Sequence, residues 1–201
     1  LGRAVIGGTI TGLTGTGRVL QNHLGNNLVV AANATTFTFS TAIASGSAYS
    51  VTVLTQPGTP TQACTVTSGG SGTVGSANVT TVAINCVTNA FTIRATVSGL
   101  SGAGLVLRNN GGNDLAISAS SGAFTFGTPI ASGAPYAVTV ATHPTNPSQT
   151  CTVTGGSGNV GLANVTNVVV VCVTNSFTIG GTVSGLSGAG LVLQNNLGNN
   201  L

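Results

Sequence analysis

Internal repetition constrains this sequence more than any other feature. Residues Ile179 to Leu201 read IGGTVSGLSGAGLVLQNNLGNNL, and Ile6 to Leu28 read IGGTITGLTGTGRVLQNHLGNNL, identical at 17 of 23 positions. A further copy opens at Ile93 as IRATVSGLSGAGLVLRNNGGNDL. Ile6 and Ile93 lie 87 residues apart, and Ile93 and Ile179 lie 86 apart. A recurring period of this kind means tandem folding units. Repeats 1 and 2 align without a gap as far as Cys64 and Cys151. The one-residue difference then falls beside Ser68, in a Gly/Ser run of the kind a surface loop tolerates. The expected division is residues 1–88 for repeat 1, 89–175 for repeat 2 and 176–201 for the first two strands of an incomplete repeat 3.

Within a repeat the apolar period is two. Phe91, Ile93, Ala95 and Val97 alternate with Thr92, Arg94, Thr96 and Ser98, and Tyr136, Val138 and Val140 alternate with Ala137, Thr139 and Ala141. Such alternation marks half-buried strands, with Thr on the outer face. Turn signals separate the runs at Ser101-Gly102, Gly111 to Asp114, Ser121-Gly122, Ser132-Gly133, Asn146-Pro147 and Gly155 to Gly158. No segment shows a helical period. Seven strands per repeat are expected, starting near Phe91, Gly104, Leu115, Ala123, Tyr136, Gln149 and Val165. Seven short antiparallel strands in such a length predict an all-β fold of tandem Ig-like sandwiches.

The front half of the repeat, GTVSGLSGAGLVLQNN, is followed by a Gly-Ala-Phe-Thr-Phe strand and a Gly-Ala-Pro-Tyr-Ala-Val-Thr-Val strand. It resembles the Ig-like repeats of bacterial cell-surface and secreted proteins, and is similar in outline to the Cna B-type stalk modules of surface adhesins. The resemblance runs over both complete repeats and implies a structural, non-enzymatic spacer. Such modules are often locked by a Lys–Asn isopeptide bond. This chain has no lysine, so that crosslink is excluded.

Cysteines supply the alternative. Cys64 and Cys86 lie 22 apart and Cys151 and Cys172 lie 21 apart, at equivalent repeat positions. Four cysteines permit three pairings. A repeat that carries its own two most simply pairs them, at the base of a last hairpin and on the face shared with Val153 and Val170. Free buried thiols are the alternative state. Zinc would need a further Cys or a His at ligand spacing, and none is present.

Charge excludes several function classes. The charged side chains are Arg3, Arg18, Arg94, Arg108 and Asp114. Four scattered arginines make no phosphate-binding patch, so no nucleic-acid partner is expected. The longest apolar run, Val168 to Val173, is too short to insert in a membrane. Each charge occurs in one repeat only: Asp114 aligns with Asn27, Arg108 with Gln21, Arg18 with Leu105 and His143 with Gln56. A Ser-His-Asp arrangement of His143 and Asp114 is conceivable, but solvated turn residues are the expected reading. No catalytic residue, cofactor or metal site is therefore expected. Asp114 is the one carboxylate side chain, and calcium sites need several.

Asn33, Asn78 and Asn164 head Asn-X-Thr triplets and are candidate glycosylation sites. The composition and paired cysteines point to a secreted or cell-surface location. The expected function is the stalk or body of an adhesin or secreted filament, whose partners are neighbouring copies of itself. The alternative is a module that binds a glycan or an ice surface through exposed Thr and Asn rows. Two strands of repeat 3 cannot by themselves bury Ile179, Val183, Leu191 and Leu193. They are expected to be completed by further strands of the same chain or by a neighbouring one.

Overall fold

A computed structural model of the chain describes residues 2–23, 25–118, 120–195 and 199–200. Among these every regular element is a strand. Repeat 1 places Thr36–Thr38, Ile6–Thr11, Val79–Thr88 and Gln62–Ser68 side by side in one four-stranded sheet. Its second sheet holds Asn26–Val30, Arg18–Asn22, Ala48–Thr55 and Ser71–Thr73 in that order. Repeat 2 repeats both orders. Gly122–Thr125, Ile93–Ser98, Val165–Thr174 and Gln149–Thr154 form the first sheet, and Asn113–Ile117, Leu105–Asn109, Pro135–Thr142 and Ser157–Asn159 the second.

Alternation decides what lies between the two sheets. Along Ile93–Ser98 the odd residues Ile93, Ala95 and Val97 are buried and the even ones exposed. They meet Leu105, Leu107, Ile117 and Val138 of the facing sheet, with Val168, Val170 and both cysteines beside them. Repeat 1 builds the equivalent layer from Ile6, Ile10, Leu20, Val30, Val51, Val82 and Ile84. Burying one such aliphatic side chain contributes about 1.5–3 kcal/mol. Each repeat thus has its own core, and the two buried clusters share no residue.

Three features depart from the sequence reading. First, one sheet of each repeat is mixed: the first long strand runs parallel to the last, Ile6 to Thr11 against Val79 to Asn85 and Ile93 to Ser98 against Val165 to Val171. A whole repeat separates the two strands, which supplies the long connection that parallel pairing needs. Second, the Gly155 to Gly158 turn contains a short strand, Ser157–Asn159, which crosses to pair with Pro135 to Ala137 in the opposite sheet. The cysteine-bearing strands are therefore antiparallel neighbours but not a simple hairpin. Third, Asp114 lies on a strand, directly opposite Arg108.

Of the two strands expected near the start of repeat 3, the first is not formed, and of the second only Gln194–Asn195 is paired. From Ser176 to Asn195 every residue is exposed, with Phe177 at 77% and Ile179 at 81%. The pairing recorded there joins Gln194–Asn195 to Asn199–Asn200. The reason is the missing neighbours. Ile93 to Ser98 is hydrogen-bonded on one side by Gly122–Thr125 and on the other by Val165–Thr174, and residues 176–201 contain no counterpart of either. Leu201 lies outside the described residues.

Candidate functional site

The polar side chains held inside each repeat, and those at the joint between the repeats, are where the structure concentrates specific chemistry. Cysteines come first. Cys86 and Cys64 are directly opposite in the ladder, as are Cys172 and Cys151. Both pairs are bonded, Cys64–Cys86 and Cys151–Cys172, each with Cα atoms 4.0 Å apart. Their sulfurs face inward at 2–4% residue exposure, since Cys86 and Cys172 continue the inward register of Ile84 and Val170, and Cys64 and Cys151 that of Gln62 and Gln149.

A glutamine two residues before the first cysteine was missed by the sequence reading. Gln62 is 1% exposed, yet all its hydrogen-bonding capacity is placed. Its Oε1 accepts from the Thr14 N–H at 2.8 Å and the Gly15 N–H at 2.7 Å. Its Nε2 donates to the Gly12 carbonyl at 2.7 Å and Thr88 Oγ1 at 3.1 Å. Gln149 repeats the pattern on Ser101, Gly102, Gly99 and Thr174. The loop after the first long strand has no backbone ladder of its own. The buried amide takes the ladder's place, because unpaired N–H groups there would cost about 1–3 kcal/mol each. The signal available in the sequence was that Gln recurs at the same offset from both Cys64 and Cys151.

The ionisable residues are distributed differently from the expectation of solvated turns. Arg18 is fully buried, 0% exposed. It occupies an inward position of Arg18–Asn22, the position that Leu105 fills in repeat 2, so its parity with Leu20 was legible. Its Nη1 donates to Cys86 Sγ at 3.2 Å, while Nε and Nη2 have no hydrogen-bond partner among the described residues. Burial pulls this guanidinium below its ordinary pKa.

Arg108 and Asp114 form a two-pronged ion pair across adjacent strands, Nε–Oδ1 2.5 Å and Nη2–Oδ2 2.8 Å. The hydrogen bond from Arg108 holds the Asp114 carboxyl below its usual range. Repeat 1 makes the same cross-strand contact with amides, Gln21 Nε2 donating to Asn27 Oδ1 at 2.8 Å. His143 is likewise a substitute: its Nδ1 accepts from the Cys151 N–H at 3.1 Å, where Gln56 Oε1 accepts from the Cys64 N–H at 2.7 Å. His143 and Asp114 are thus held by different partners. Among the described residues no group of three or more His, Cys, Asp or Glu could hold a metal, and no helix is long and apolar enough to cross a membrane.

The triplet asparagines have structural work. Asn78 Oδ1 accepts from the Val5 N–H at 3.0 Å, and Asn164 Oδ1 accepts from the Thr92 N–H at 3.0 Å. Both N–H groups lie at the break where the first strand changes partners. Asn33 sits at a positive φ of 61° in an exposed turn, a conformation Asn tolerates better than most residues. All three are exposed.

The joint between repeats is built from Thr61, Asn89 and Ser132. The Thr61 N–H donates to Ser132 Oγ at 3.1 Å, and the Ser132 N–H donates to the Asn89 carbonyl at 2.8 Å. Ser132 Oγ in turn donates to the Gly161 carbonyl at 2.8 Å, and the Asn89 N–H to the Thr61 carbonyl at 3.0 Å. Ser132, from repeat 2, is 6% exposed, so the hydroxyl is enclosed. At the far end of repeat 2, the Asn175 N–H donates to the Ser148 carbonyl at 2.9 Å, the counterpart of the Asn89–Thr61 contact. An open groove of about 590 Å³ is lined by Asn22, His23, Thr41 and Ile43 among others. It gathers no set of convergent titratable groups.

No family model and no curated protein matches the chain. Among solved structures the chain is similar to the Bacillus anthracis TIE protein, at 12% identity and a TM-score of 0.46, over 85% of this chain and 33% of that one. It thus spans about a third of that protein's length. It is also similar to the major pilin protein (T-13) from Streptococcus pyogenes, at 12% identity and a TM-score of 0.30, over 87% of this chain and 98% of that one.

Proposed function

We propose that the chain is a structural, non-enzymatic spacer, part of the stalk or body of a surface adhesin or secreted filament. The observation that carries this reading is the Thr61–Asn89–Ser132 joint. Domains linked in tandem ordinarily move relative to each other unless the interface holds them. Here the connection is short, and an enclosed serine ties repeat 2 back to Thr61, the residue before the strand Gln62–Ser68 of repeat 1. The far end of repeat 2 carries the Asn175–Ser148 half of the same arrangement, so the device suits an array of modules. Disulfides inside each repeat support a secreted location, where such bonds persist. They also add roughly 3 kcal/mol apiece in the chain-entropy model.

Binding of ice or glycan through Thr rows has less support. In repeat 2 the exposed row Thr150, Thr152 and Thr154 pairs across the ladder with Val173, Val171 and Val169. A row of Thr is therefore bordered by a row of Val.

Spin labels placed one in each repeat test the proposal. A narrow distance distribution is expected, broadening when Ser132→Ala removes the acceptor of the Thr61 N–H. A broad distribution in the unaltered chain would overturn the spacer reading.

A further inference from the structure

The two disulfides are alike in ladder position and burial, but different side chains surround them: the Cys64 N–H donates to Gln56 and the Cys151 N–H to His143, and the sulfur of the second cysteine meets an arginine in repeat 1 alone. Cys86 Sγ lies 3.2 Å from the guanidinium of Arg18, whereas repeat 2 has Leu105 at the equivalent position. Among the described residues Arg18 has no carboxylate to pair with. The chain's one acidic side chain, Asp114, is engaged by Arg108 in the other repeat. An arginine remains protonated in a protein, so repeat 1 encloses a positive charge whose Nε and Nη2 lack hydrogen-bond partners among the described residues. From this geometry we infer that Cys64–Cys86 is a redox-active disulfide, poised for reduction by Arg18, while Cys151–Cys172 is a purely structural one.

The chemistry follows from what reduction does to the enclosed charge. A dithiol reductant attacks Cys64 Sγ as its thiolate. The Cys64–Cys86 bond breaks, and its electron pair stays on Cys86 Sγ. The reductant's second thiol loses its proton and closes on the mixed disulfide, expelling Cys64, which takes up a proton. The reductant leaves as a cyclic disulfide, and the protein has gained two electrons. Cys86 is left as a thiolate within contact distance of the guanidinium. A buried neutral sulfur beside a lone cation has become an ion pair with a charge-assisted hydrogen bond. Nearby cations lower a thiol's pKa, and a disulfide whose reduced form is stabilised has a more oxidising potential. Cys172 gains nothing comparable beside Leu105. There the reduced pair is two buried neutral thiols in apolar surroundings. Because the sulfurs are enclosed in both repeats, exchange needs local opening. Opening sets the rate, while Arg18 sets the equilibrium.

Both disulfides can be read in one tube. The full chain is equilibrated in buffers of reduced and oxidised dithiothreitol, acid-quenched and alkylated, and the two cysteine pairs are quantified as separate peptides. The equilibrium constant for reducing Cys64–Cys86 is expected to exceed that of Cys151–Cys172 at least tenfold, about 30 mV for a two-electron couple. Arg18→Leu, which copies the repeat 2 residue, should bring the two within twofold. The ultraviolet thiolate absorbance of the reduced protein at neutral pH should fall to the free-thiol level in the same variant. Equal constants in the unaltered chain would overturn the inference, as would a gap that Arg18→Leu leaves intact. Reduction that unfolds repeat 1 would overturn it as well, because an unfolded chain holds no Arg18–Cys86 pair, and far-ultraviolet circular dichroism of the reduced chain reads that outcome separately.

Discussion

Repeats 1 and 2 use the same strand order, the same cysteine ladder and the same glutamine clasp, yet they solve three local problems differently. Where repeat 2 has Ala95, Leu105 and the Arg108–Asp114 pair, repeat 1 has Gly8, Arg18 and the Gln21–Asn27 pair. The exposed exchange is interchangeable, because a cross-strand contact in water needs complementary partners and little else. The buried exchanges are not. A methyl or a charge inside a packed layer changes what its neighbours must do.

Gly8 offers the hardest way to break the comparison. A Cβ there would lie 1.8 Å from the Val82 carbonyl oxygen, because the parallel strands of repeat 1 close up against the bare backbone. Gly8→Ala is expected to destabilise repeat 1 by about 3–5 kcal/mol, seen as lost hydrogen-exchange protection across its strands. The reciprocal Ala95→Gly in repeat 2 should cost only about 1 kcal/mol, mostly backbone freedom. Similar losses from both changes would mean that the two first sheets are spaced alike.

Gln62→Ala and Gln149→Ala should then cost nearly the same amount in their own repeats, about 1–3 kcal/mol, by stranding the enclosed N–H of Gly15 or Gly102 and loosening the part-buried N–H of Thr14 or Ser101 beside it. Denaturant unfolding followed repeat by repeat checks this. A cost seen in one repeat only would break the equivalence that the matching hydrogen bonds establish.

Arg18→Leu runs in the opposite direction. With both disulfides intact it should stabilise repeat 1 by about 1–3 kcal/mol, since a buried charge without a partner is replaced by the residue that repeat 2 packs there. A melting temperature that falls instead would show that the guanidinium is compensated.

The smallest effect concerns pH. Asp114 has its folded-state pKa depressed by Arg108. The associated stability is present above the unfolded carboxyl value of about 3.9 and is lost as pH falls through the folded one. Repeat 2 should therefore soften slightly below about pH 4, and Asp114→Asn should remove that acid response. Repeat 1, which makes the same contact with amides, should show no such dip. Thermal melts at a series of acid pH values separate the two.

Much of this molecule was legible from one dimension. The period of two fixes which side chains of Ile93–Ser98 face inward, because successive residues on a pleated strand point to opposite faces. The repeat placed the pairs Cys64 and Cys86, and Cys151 and Cys172, at equivalent positions. It even contained the parity of Arg18, whose aligned partner is Leu105. What the sequence could not show was which strands become neighbours. The parallel pairing of Ile6–Thr11 with Val79–Thr88 joins segments at opposite ends of a repeat, so the closeness that demands glycine at Gly8 exists only once the sheet is assembled. Gln62 reads as one more polar strand residue until the loop at Thr14 and Gly15 folds over it. The exposed apolar positions of repeat 3 make the same point. Phe177 and Ile179 carry the strand pattern of Phe91 and Ile93, but a strand is a relation between neighbours, and tertiary structure alone supplies the neighbour.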